Sequence, residues 1–189
     1  ALHISAEKGS VECIKLLLQY QANIEATRSD GRTALHIAAA NGELPAVECL
    51  LEEKAQRTAT DDQGWLPLHY ACLYKHVDVA RVLLQNHSDT AKCPTSKENG
   101  CLTPLHIAAQ SGSVECIELL LQHEAVIEAT DRNGDTPLHA AAAAGQLLAV
   151  KCLVDNKAET VATNNKCWLP LHSACAAGHS QCIGDLWRL

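Results

Sequence analysis

The chain has 189 residues, 47% apolar and 20% charged, with a net charge of −7, ten cysteines, three tryptophans and no phenylalanine. This is the balance of a folded soluble protein, and no apolar run approaches the roughly 18 residues of a membrane span. The acidic balance, without a basic stripe, argues against nucleic acid as a partner.

Histidine recurs as His3, His36, His69, His106, His139 and His172, inside the strings ALHISA, TALHIAA, LPLHYAC, TPLHIAA, TPLHAAA and LPLHSAC. Four of the five spacings are 33 residues and the fifth is 37. A fixed period of that size predicts stacked supersecondary units with an extended surface in place of a single pocket. The units run 1–27 (partial), 28–60, 61–93, 94–130 (enlarged by four residues), 131–163 and 164–189 (partial).

The second unit sets the pattern. Asp30-Gly31 signals a turn, and Thr33 is placed to cap the helix that follows. Leu35, Ala38 and Ala39 make the apolar stripe of a short helix that ends at Asn41-Gly42. A second helix follows, with Val47, Leu50 and Leu51 facing inward. Pro67, Pro104, Pro137 and Pro170 take the first helical position in later units, where a missing N–H costs nothing. Ala38-Ala39, Ala108-Ala109 and Ala141-Ala142 let neighbouring helices approach closely, so stacking supplies a core that no unit has alone.

A longer period overlies the first. GSVECI at 9–14 recurs at 112–117, and Trp65-Leu66-Pro67-Leu68-His69 recurs at 168–172, both offset by 103 residues. Three units are thereby duplicated as a block. The enlargement, AKCPTSKENGCL at 91–102, is the one irregular loop.

The turn, the T-P-L-H-x-A-A helix and the G-x-x-x-x-V-x-x-L-L helix resemble the ankyrin repeat over essentially the whole chain. The resemblance implies an all-α ankyrin-type repeat solenoid, with stacked antiparallel helix pairs and projecting turn fingers, in one array over 1–189. It also implies that the repeated histidine braces the turn by hydrogen bonding. Where the family closes its second helix with glycine, this chain has Gln21, Lys54, His87, Glu124 and Lys157. Each departure costs up to about 1 kcal/mol relative to glycine. Cys167 replaces the turn glycine of the last unit, and Lys75 the glycine between the helices of the third.

The chemistry-bearing residues point the same way. His69/Cys72 and His172/Cys175 share a helix face, but neither pair has the orienting group that a cysteine nucleophile needs. Cys93 and Cys101 flank the enlarged loop near His87 and His106, at a spacing unlike a zinc knuckle. Cys13, Cys49, Cys72, Cys116, Cys152, Cys175 and Cys182 fall at apolar helical positions and read as small buried hydrophobes. That usage predicts a reducing, intracellular compartment, the cytoplasm, where the glycosylation sequon Asn86-His87-Ser88 is idle. With no phosphate loop, nucleophile elbow or metalloprotease helix, the chain reads as a non-enzyme without metal, cofactor or small-molecule substrate.

What remains is recognition of a partner protein. In ankyrin-like proteins the contact positions lie around the turn glycine and the end of the first helix. Carried onto this sequence, they include Arg32, Asn41, Trp65, Leu73, Tyr74, Gln110, Ser111, Arg132, Asp135 and Trp168. Trp65 and Trp168 sit just past turns, where tryptophan is a strong hot-spot residue. The alternative is that each ring folds back over Leu66 or Leu169 within its own finger. Two other roles fit the repeat: a structural spacer, or a regulator of a catalytic or channel domain outside this stretch. With its start in mid-repeat, the chain is expected to belong to a longer protein. Leu2, Ile4, Ile183, Leu186 and Trp187 are accordingly expected to be exposed apolar ends.

Overall fold

The computed structural model describes residues 1–85, 88–95 and 100–187, apart from the Ser88 side chain. All regular structure among them is helical, in short antiparallel pairs. The first compact unit, Ala1–Thr90, holds α1 (Leu2–Glu7) with α2 (Val11–Gln19), α3 (Ala34–Asn41) with α4 (Leu44–Glu52), and α5 (Pro67–Leu73) with α6 (Val77–Leu84). A 3₁₀ turn follows at Ser88–Lys92. The second compact unit, Ala91–Leu189, holds α7 (Pro104–Ser111) with α8 (Val114–Gln122), α9 (Pro137–Ala143) with α10 (Leu147–Asp155), and α11 (Pro170–Ala177) with α12 (Ser180–Trp187).

Helices of six to nine residues are too short to be stable alone in water. Packing sustains them. Within each compact unit, first helices pack on first helices and second helices on second helices. A first helix thus has neighbours on several sides, and Ala34 through Ala39 of α3 are all buried. The alanine pairs Ala38-Ala39, Ala108-Ala109 and Ala141-Ala142 are fully buried at these contacts, as their small size predicts. Leu50, Leu83, Leu120 and Leu153 fill the space beneath.

In four of the six pairs the repeated histidine ties the first helix to the next turn. The backbone N–H of Thr33 donates to Nδ1 of His36 at 3.2 Å, and Thr103 and Thr136 do the same to His106 and His139. With Nδ1 accepting, Nε2 carries the proton. It donates to a backbone carbonyl 29 residues on: His3 to Arg32, His36 to Trp65, His106 to Asp135 and His139 to Trp168, at 2.9–3.1 Å. The threonine hydroxyls also approach Nδ1 at 2.8–2.9 Å.

The departures from glycine adopt the glycine conformation. Gln21, Lys54, Glu124 and Lys157 have φ of 60–73°; His87 lies outside the described residues. Cys167 and Lys75 are left-handed too, with φ of 57° and 63°. So is Cys101, at 57°. Counting back five residues from each histidine gives Gly31, Gly64, Cys101, Gly134 and Cys167, so Cys101 occupies the turn-glycine position of its unit. Gly100 beside it obscures that register.

Lys75 is exposed, and in this conformation its Cβ crowds the backbone. Lys75→Gly should stabilise the protein by roughly 0.5–1 kcal/mol, the relief of strain exceeding the entropy glycine adds to the unfolded chain. A urea midpoint that stays put or falls would disprove it.

Two expectations are corrected. Leu2 and Leu186 are buried, because each shares the buried face of its helix with a residue four positions away (Ala6 and Cys182), whereas Ile4 and Trp187 are exposed and Ile183 is half-buried. Cys13 and Cys175 are exposed, unlike Cys49, Cys72, Cys116, Cys152 and Cys182, which are buried. Each exposed one lies just off the buried face of its helix, next to buried Ile14 on α2 and buried Ala174 on α11.

Candidate functional site

In the first compact unit the finger leading to α5 is built on Asp61. Its Oδ1 accepts from the N–H groups of Gln63 and Trp65, both at 2.9 Å, which closes the turn. Its Oδ2 accepts from the Tyr70 hydroxyl at 2.6 Å. Burial and the Asp61 carboxylate together push that phenol well above its ordinary pKa. The Arg32 guanidinium lies 4.7 Å from the Tyr70 ring centre, a cation–π contact, and pairs with Asp30 at 3.4 Å. The Trp65 ring packs 5.1 Å from Tyr70 and 5.7 Å from His69, and is half-buried.

Arg32, Asn41 and Tyr74 come together along one groove of about 580 Å³, with Ile37, Ala40 and His76. Asn41 Nδ2 is held by the Ile37 carbonyl at 2.8 Å, while the Tyr74 ring stands 54% exposed. Trp65 and Leu73, both half-buried, do not line it.

In the second compact unit the finger leading to α11 repeats this construction 103 residues on, with different side chains. Asn164 stands for Asp61. Its Oδ1 accepts from the N–H groups of Lys166 and Trp168, and its Nδ2 donates to Asp135 Oδ1 at 2.6 Å. Trp168 is 38% exposed, with Lys166 Nζ 5.3 Å from its ring centre. Asp135 and Trp168 share a cavity of about 370 Å³ with Asn164, Lys166, Ser173 and Ala176. Gln110 and Arg132 are exposed and Ser111 half-buried, and none lines this cavity.

A family model described as Ankyrin repeats (3 copies) matches residues 2–94 and 90–164. The chain belongs to the ankyrin repeat family. The human ASB11 ankyrin repeat domain is a structural neighbour, with a TM-score of 0.87 at 26% identity, over 100% of this chain and 82% of that one. Among curated proteins, a probable E3 ubiquitin-protein ligase, XBOS32, of Oryza sativa subsp. japonica is 54% identical over 46 residues, 24% of this chain. The tyrosine-protein kinase HTK16 of Hydra vulgaris is 36% identical over 137 residues, 72% of this chain. Those alignments span 9% and 13% of the two relatives. Ankyrin repeats serve generally as protein-interaction modules, and the fold is typically non-catalytic.

The ankyrin chain's thiols divide by burial. Burial holds Cys49, Cys152 and Cys182 above the ordinary thiol range, which lowers the thiolate fraction that reacts. Iodoacetamide should therefore modify Cys13, Cys167 and Cys175, the exposed three, before any of the buried five. Peptide mass mapping of the native protein reads this directly, and early loss of Cys49 or Cys116 would contradict it. Cys93 and Cys101 are half-buried. Among the described residues no three His, Cys, Asp or Glu side chains converge as a ligand set, and none of the described helices is long and apolar enough to cross a membrane. Asn86, His87 and residues 96–99 lie outside the described residues.

Asp61, Asn164 and Ser173 belong to these sites although no repeat motif marks them. The 103-residue offset was the available signal, since it aligns Tyr70 with Ser173 and Asp61 with Asn164.

Proposed function

We propose that this ankyrin chain is a protein-binding module that buries finger and short-helix side chains against a partner protein and performs no chemistry. The observation that carries this reading is the exposure of Tyr74 and Trp168, two large aromatic side chains at contact positions, each beside a groove. Aromatic residues of this kind dominate interface energetics. Arg32, Asn41, Gln110, Ser111, Arg132 and Asp135 supply the polar rim that orients the partner, with Trp65 and Leu73 as packed support. Ten free cysteines favour a reducing, intracellular setting.

Affinity capture with the wild-type chain and a Tyr74→Ala/Trp168→Ala double variant tests the reading. Loss of a specific partner, with unchanged circular dichroism and Tm, is the expected result. Equal capture by both would move the contact to another surface.

A second reading has one observation in its favour: two curated relatives are a kinase and a probable ubiquitin ligase, each far longer than the matched stretch. In that reading the repeats deliver a protein to a catalytic domain on the same polypeptide. The full-length coding sequence tests it, since a reading frame without any catalytic domain would end it.

A further inference from the structure

The duplicated block has filled one position in its first copy and emptied it in its second. Tyr70, 4% exposed, plugs the space between its finger and the preceding one, with its hydroxyl on Asp61 and its ring against Trp65. Shifted by 103 residues, Tyr70 becomes Ser173, Leu73 becomes Ala176 and Tyr74 becomes Ala177. Three large side chains are replaced by three small ones, and the cavity of about 370 Å³ lies among them. The tryptophan stays: Trp168 still forms one wall, now 38% exposed because no ring covers it.

The polar groups have changed in a complementary way. In the first copy the preceding finger offers a cation, Arg32, over the Tyr70 ring, and the turn offers the acceptor carboxylate, Asp61. In the second copy the preceding finger offers the carboxylate, Asp135, and the turn offers the amide of Asn164, which holds Asp135 Oδ1 at 2.6 Å. The acceptor for a buried phenol is thus kept, moved from one finger to the other. Exposed Ala176 and Ala177 line the cavity towards solvent, and Ser173 lies at the bottom, 8% exposed. At this size the cavity is at the small end of ligand sites, suited to a single side chain.

We infer that the cavity between Asp135, Trp168 and Ser173 is an anchor pocket for a tyrosine side chain of the partner protein, which takes the place that Tyr70 fills in the first copy. The ring packs on Trp168, and the hydroxyl donates to Asp135. This rests on the protein-binding reading above and names the chemistry of one contact within it.

The probe is N-acetyl-tyrosinamide, titrated into the whole chain while the indole N–H resonance of Trp168 is followed by NMR. A saturable shift is expected at Trp168, with the Trp65 and Trp187 resonances unmoved. Ser173→Tyr, which supplies the chain's own ring as in the first copy, should abolish it. Asp135→Asn, which keeps the contact to Asn164, covers the case in which the larger substitution misfolds. It should weaken the tyrosine probe about tenfold, and N-acetyl-phenylalaninamide should bind the wild type about tenfold more weakly, as expected for a lost hydrogen bond to a charged acceptor. No shift at Trp168, or one that survives a folded Ser173→Tyr or is unmoved by Asp135→Asn, would overturn the inference. A protein that depends on Tyr74 and Trp168 yet binds folded Ser173→Tyr undiminished would also overturn it, while leaving the binding-module reading intact.

Discussion

Replacing His36 by alanine is expected to lower stability by about 3 kcal/mol, the sum of lost packing and newly unsatisfied polar groups. The imidazole is buried between Thr33 and the following finger. It accepts from the Thr33 N–H at 3.2 Å, meets the Thr33 hydroxyl at 2.9 Å and donates to the Trp65 carbonyl at 3.0 Å. Alanine satisfies none of the three and leaves a void where the ring was. The Trp65 carbonyl belongs to the next unit, so the damage reaches beyond the unit that carries the substitution. His172 is the internal control. It is exposed, and among the described residues the only hydrogen bond of its imidazole is from the Leu169 N–H at 2.9 Å. His172→Ala should cost less than about 1 kcal/mol, the worth of one exposed hydrogen bond. Urea unfolding of both variants decides the matter. Equal losses would mean that the histidine serves only its own helix start, and that the bond across 29 residues contributes little.

Mild acid should destabilise the protein, beginning near neutrality and well above the range where carboxylates titrate. Burial is the main reason that the His36 and His106 pKa values lie below the ordinary 6.5; the carbonyls they donate to and nearby aspartates oppose it only in part. Protonation would also remove the Nδ1 acceptor that holds Thr33 and Thr103. The sign follows from proton counting. Below the ordinary histidine value the unfolded chain binds protons that the folded chain refuses, so stability rises with pH. The full contribution is present above that value and is lost as pH falls from there towards the lowered folded values. Two such histidines give a slope of up to about 2.7 kcal/mol per pH unit across that window. Urea midpoints measured from pH 7.5 to pH 5 test this; a flat profile over that interval would refute it.

Several features were legible because they are local. The spacing of the six histidines, the prolines at helix starts and the alanine pairs carry the helix-pair pattern with no knowledge of tertiary contacts. Glycine and its replacements mark the turns, and only Cys101 slipped past, because Gly100 next to it mimics the expected residue. The histidine's bracing role was read from the family resemblance, and its partner became visible only once the carbonyl 29 residues on was placed. The thiols show the limit of pattern. Cys13 and Cys116 occupy the same place in identical GSVECI strings, yet one is exposed and the other buried.

The two tryptophans draw the boundary most sharply. Sequence by itself determined that both follow a turn, in the same five-residue string, in a chain of ankyrin repeats. Tertiary structure alone decided that Trp65 lies half-buried against the Tyr70 ring and that Trp168, 38% exposed, has no ring over it. The string around each is the same, so local propensity cannot separate them. The difference comes from Tyr70, which covers Trp65, against Ser173, which does not reach Trp168, and from Arg32 against Asp135 one finger earlier. Exposure of a finger residue is set by side chains brought beside it from the next helix and from the preceding unit, and only stacking brings them there.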